Sequence, residues 1–78
     1  MSNEVLKNHV LEVLNNQLKL NSLLFVNETF DRLIKIGYTE KQVKEKMAAI
    51  LLEEIYYVLK NQEVFNEERY KDGLSRLV

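Results

Sequence analysis

The chain has no cysteine, no proline and no tryptophan, and among its 78 residues are only two glycines and one histidine. Without cysteine there is no disulfide, no thiol nucleophile and no zinc–thiolate site. Without proline, and with glycine only at positions 37 and 73, the chain must be punctuated mainly by capping side chains. No apolar run approaches the roughly 20 residues that cross a bilayer, and the opening MSNEVLKNHV has no basic segment leading into an apolar one. A cytoplasmic location is the expectation. Neither sign of charge is in excess: 11 basic residues face 12 acidic ones, for a net charge of −1. No field is left to attract nucleic acid or an anionic membrane.

What is present is an ordinary globular balance of 46% apolar and 29% charged residues. A chain this short supports one domain, since it buries only about 60% of the surface exposed on unfolding. A core of this size often supplies only about 3–5 kcal/mol, so efficient helix packing or self-association is needed, and homodimerisation is an expectation.

Four helices are predicted. The first covers about Asn3 to Leu20, with Val5, Leu6, Val10, Val13, Leu14 and Leu18 at helical spacing. The second starts near Ser22 as N-cap, carries Val26, Phe30, Leu33 and Ile34, and ends at Gly37, which suits a left-handed C′ position. The third begins with a capping box of Thr39 and Gln42, with Tyr38 stapled towards Val43, and reaches about Asn61 as a long spine. Its apolar positions are Val43, Met47, Ile50, Leu51, Ile55, Val58 and Leu59, and Ala48 and Ala49 allow a neighbour to come close. The fourth starts at Asn66, with Phe65 and Tyr70 in staple positions and Glu67 and Glu68 at the positive end of the dipole, and buries Tyr70, Leu74 and Leu77.

Three polar residues sit where this periodicity calls for apolar ones. At about 100° per residue, Glu54 falls inside the apolar arc of the third helix while Glu53 points the opposite way. A carboxylate on that stripe must find donors, shift its pKa or mark a site. Gln17 lies among Leu6, Val10, Val13 and Leu14, and His9 lies at the edge of the same face. An amide–carboxylate pair of Gln17 with Glu54, fixing helix register, is the preferred expectation. The alternative is a ligand- or metal-binding site built from Glu54, Gln17 and His9, with Glu12 one turn beyond His9. One histidine is a thin ligand set, and no metal or other cofactor is assigned.

Other readings lose on chemistry. The segment from Leu33 to Val43 has the outline of a helix-turn-helix with Lys41, Lys44 and Lys46 following the turn, but Glu40 and Glu45 interleave with them and no base-reading cluster is present. Ile36-Gly37-Tyr38-Thr39 resembles the Gly-Phe/Tyr loop of ubiquitin-associated domains, yet the helix that follows is far longer than in that family, and the function is not carried over. No glycine-rich loop, nucleophile–base pair or carboxylate dyad is apparent, so no enzymatic activity is expected.

Two stretches, Ala49-Ile50-Leu51-Leu52-Glu53-Glu54-Ile55-Tyr56-Tyr57-Val58-Leu59-Lys60 and Phe65-Asn66-Glu67-Glu68-Arg69-Tyr70, together with Asn16-Gln17-Leu18 and Gly37-Tyr38, resemble an uncharacterised bacterial family of small helical proteins classed as a domain of unknown function. The resemblance covers most of the chain and implies a helical fold with interest in Gln17 and Glu54. In that family histidines on the first and third helices suggest a polar or metal site. Here Lys7, Leu11, Lys41 and Glu45 stand at the matching positions, so such a site is absent or altered.

The expectation is therefore an all-α, four-helix bundle-like domain with a central third helix, acting as a non-enzymatic interaction or assembly module. It would pair with itself or with an unidentified protein, with no nucleic acid or membrane partner. Tyr56 and Tyr57 point to different sides of the third helix, so one of them is expected at an interface.

Overall fold

Capping chemistry sets most of the helix boundaries. The computed structural model describes residues 3–78, and among these residues there are four α-helices and no strand: α1 (Asn3–Leu20), α2 (Leu24–Ile36), α3 (Glu40–Asn61) and α4 (Glu67–Ser75). Thr39 Oγ1 accepts from the Gln42 backbone N–H at 3.1 Å, and the Gln42 side chain accepts from Thr39 N–H at 2.9 Å, which closes the expected capping box. Asn66 caps α4 by accepting from Arg69 N–H at 3.0 Å. Gly37 follows α2 with φ 123°, and Gly37 N–H and Tyr38 N–H close onto the carbonyls of Ile34 and Leu33.

The start of α2 departs from expectation. Ser22 is not its N-cap; Leu23 is, with extended backbone and no side-chain cap bond. The chain turns out of α1 through Asn21 at φ 52°, which leaves Leu23 half-buried against the core. Burying a leucine outweighs one cap hydrogen bond. Asn27 of α2 donates instead to the carbonyl of Leu18, satisfying one of the orphan acceptors at the end of α1.

α3 packs against each of the other three helices, and α2 also touches α4. The core is Val10, Leu14, Val26, Leu33, Val43, Met47, Ala48, Leu51, Tyr70 and Leu74, so every helix contributes to one apolar centre. Several residues expected inside stay outside: Val5, Val13, Ile34 and Leu59 are exposed, Leu59 by 69%. The apolar faces of α1 and α3 are wider than the three neighbouring helices can cover. No helix of the described residues is long and apolar enough to cross a membrane.

Candidate functional site

Glu54 is buried, 3% exposed, on the face of α3 that meets α4, while Glu53 is exposed. Its carboxylate is saturated by α4. Arg69 donates Nε to Oε1 at 2.6 Å and Nη2 to Oε2 at 2.8 Å, and the backbone N–H of Asn66 donates to Oε2 at 2.9 Å. The fork geometry of the guanidinium is what makes this two-pronged contact available. Arg69's hydrogen bond, reinforced by the Asn66 amide and opposed by desolvation, holds the Glu54 carboxyl below its usual range. The same pairing raises the pKa of the Arg69 guanidinium above its usual value. That guanidinium also approaches Glu63 at 3.5 Å and lies 3.9 Å from the centre of the Tyr57 ring.

Gln17 does not pair with Glu54. Its Oε1 accepts from the Tyr70 hydroxyl at 2.9 Å, so it too is engaged by α4. Tyr70 is fully buried between Phe25 at 5.6 Å and Phe65 at 5.5 Å, both edge-to-face, and burial pushes its phenol pKa up. The expected register-fixing pair is thus replaced by two pairs, Glu54–Arg69 and Gln17–Tyr70, each linking a different helix to α4. The polar residues were placed correctly by periodicity and given the wrong partners.

His9 joins neither. It lies on the outer side of α1, its side chain 72% exposed, with Glu12 at 3.9 Å. Glu54, Gln17 and His9 therefore do not converge, and among the described residues no group of three or more histidine, aspartate or glutamate side chains is placed to hold a metal ion. The three residues of the sequence-derived ligand set thus lie in separate surroundings, Glu54 and Gln17 each bonded within the chain and His9 in solvent.

The far end of α4 is held as well. Arg32 of α2 donates to the carbonyls of Leu77 at 2.7 Å and Leu74 at 3.1 Å, and the Tyr38 hydroxyl donates to the Val78 backbone oxygen at 2.7 Å. Arg32 and Arg69 escaped the sequence reading, although a signal existed. The chain has eight lysines and only three arginines, and two of those arginines make the half-buried contacts that a lysine cannot copy.

With these polar groups consumed internally, an apolar-floored groove of about 380 Å³ lies where α1 meets α3. Its floor is Leu6, Val10, Ala48, Ala49 and Leu52, and Tyr56 stands at one end, 53% exposed. Lys7 and Glu45 face each other across the rim at 3.7 Å, both half in solvent. Tyr56 and Tyr57 are thus separated in role: Tyr57 is the bed for Arg69, and Tyr56 edges an apolar surface.

Fold and site together define a small all-α, bundle-like protein whose buried polar residues fasten a short terminal helix. Comparison of the chain with family models, with curated proteins and with solved structures finds no match.

Proposed function

We propose that the protein is a non-enzymatic interaction module of the cytoplasm, and that the groove between α1 and α3 is where it meets a protein partner. The observation that carries this reading is Tyr56, a large amphipathic side chain half in solvent beside an apolar groove, while each buried polar group of the α4 anchor is already bonded within the chain. Tyrosine is favoured at such places because one ring supplies contact area and a hydroxyl at little entropic cost. The reading also accommodates the resemblance to the uncharacterised bacterial family. Glu54, Arg69, Phe65 and Tyr70, which carry that resemblance, all belong to the α4 anchor, and a helical framework is what they support.

A photoreactive benzoylphenylalanine at position 56 tests it in the cell that makes the protein. The expected result is a discrete protein adduct from position 56 and none from a control at Glu67, on the exposed start of α4. No adduct from position 56 above the control would end the reading.

A further inference from the structure

We infer that the occupant of the groove is a second copy of this chain, docked about a two-fold axis that runs along the groove, so that α1 of each copy lies over α3 of the other. This rests on the interaction reading above and names its partner.

Three observations carry it. The first is the rim. It holds one cation and one anion at the same level on opposite helices, Lys7 on α1 and Glu45 on α3. A two-fold axis along the groove exchanges its two sides without moving them lengthwise, so Lys7 of each copy meets Glu45 of the other. A self-complementary patch is what an isologous interface requires, whereas a strongly acidic or basic partner would find this rim neutral. The second is the apolar strip. On α1, Leu6 and Val13 flank the buried Val10 at four- and three-residue spacing, and on α3 Ala49, Leu52, Tyr56 and Leu59 recur at three- and four-residue spacing. Val13 and Leu59 extend the strip beyond the groove and are exposed. Two such strips laid together form the parallel seam of a helical bundle.

The third is area. The strip covers about 15 residues of α3, roughly 21 Å, by the width of two helices, so each copy can bury on the order of 400–600 Å². Over both copies that is about 800–1200 Å², the size of a weak, transient interface, so a reversible dimer is expected that comes apart on dilution within the micromolar-to-millimolar range.

Sedimentation equilibrium from about 1 µM to about 1 mM brackets that range. Wild-type protein is expected to dimerise, and Tyr56→Asp and Ala49→Glu, both at exposed positions, are expected to remain monomeric with unchanged helical circular dichroism. Lys7→Glu and Glu45→Lys should each weaken self-association about tenfold at low salt. Mixing these two variants should produce a heterodimer tighter than either homodimer, because both cross-copy pairs are then attractive. A contact confined within one chain gives no such rescue.

A wild-type monomer throughout, or a dimer indifferent to position 56 and to the charge exchange, overturns the second copy as occupant. If position 56 still cross-links to a different protein, the interaction reading survives that loss. If it cross-links to nothing, both fall together.

Discussion

Arg69 serves four neighbours with one guanidinium: two oxygens of Glu54, the carboxylate of Glu63 and the ring of Tyr57. Glu54 is the dependent member, because it is the one withdrawn from water. Removing the arginine leaves a buried carboxylate short of donors, whereas Glu54→Gln removes the charge itself and keeps an oxygen for the Asn66 amide. Arg69→Ala should therefore lower the urea midpoint more than Glu54→Gln does. The acid limb separates them further. A carboxyl whose folded pKa lies below its unfolded value of about 4.3 contributes stability above that pH, and the contribution is lost as pH falls through the folded pKa. Urea midpoints followed from neutral pH down to about pH 2.5 should fall through this window in the wild type, and less steeply in Glu54→Gln. Tyr70→Phe isolates the second anchor: it retains the ring and its edge-to-face contacts, leaves Gln17 Oε1 without its donor, and should cost about 1 kcal/mol by denaturant unfolding.

At nine residues α4 is too short to persist by propensity, and it is held by its N-cap, by Arg69 and by the buried Tyr70 and Leu74. Asn66→Ala removes the N-cap and should cost about 1 kcal/mol. Gly73 tests the packing of the same helix on α3. A Cβ there would stand 2.8 Å from Ile50 Cγ2, on a β-branched side chain that is stiff in a helix. Gly73→Ala should thus destabilise although alanine is the better helix former, and Ile50→Ala in the same chain should recover part of the loss, a non-additivity that denaturant midpoints of the single and double variants will show. These elements also show what a sequence discloses. The boundaries at Thr39 and Asn66 were legible because a cap acts within three residues of itself. Ser22 misled because the turn at Asn21 and the burial of Leu23 depend on the rest of the fold. Glu54 and Gln17 were legible as misfits of periodicity, but their partners lie 15 and 53 residues away, on a helix whose placement no local rule specifies.

For the molecule as a whole, α3 is the spine and α4 the closing piece, since Tyr70 and Leu74 complete the core that α1, α2 and α3 surround. A chain ending at Asn61 should lose the cooperative thermal transition, seen by circular dichroism at 222 nm, because it gives up two core residues and leaves Glu54 and Gln17 without their α4 partners. The exposed remainder of the α1 and α3 faces was also implicit in the sequence, as more apolar positions than four helices can enclose. Which of them stay outside depends on crossing geometry, and Leu59 and Val13 could not be told from Leu51 and Leu14 by spacing alone.

The clamp on α4 also fixes an order of events during synthesis. A ribosome delivers α1, α2 and α3 before Arg69 exists, so the nascent three-helix segment carries the Glu54 carboxylate with no guanidinium to receive it and a gap where Tyr70 belongs. Arg32 likewise waits for the carbonyls of Leu74 and Leu77. Closure of the core is therefore tied to the emergence of residues 66–77, which bring the guanidinium and amide that Glu54 accepts from and the two side chains the core still lacks.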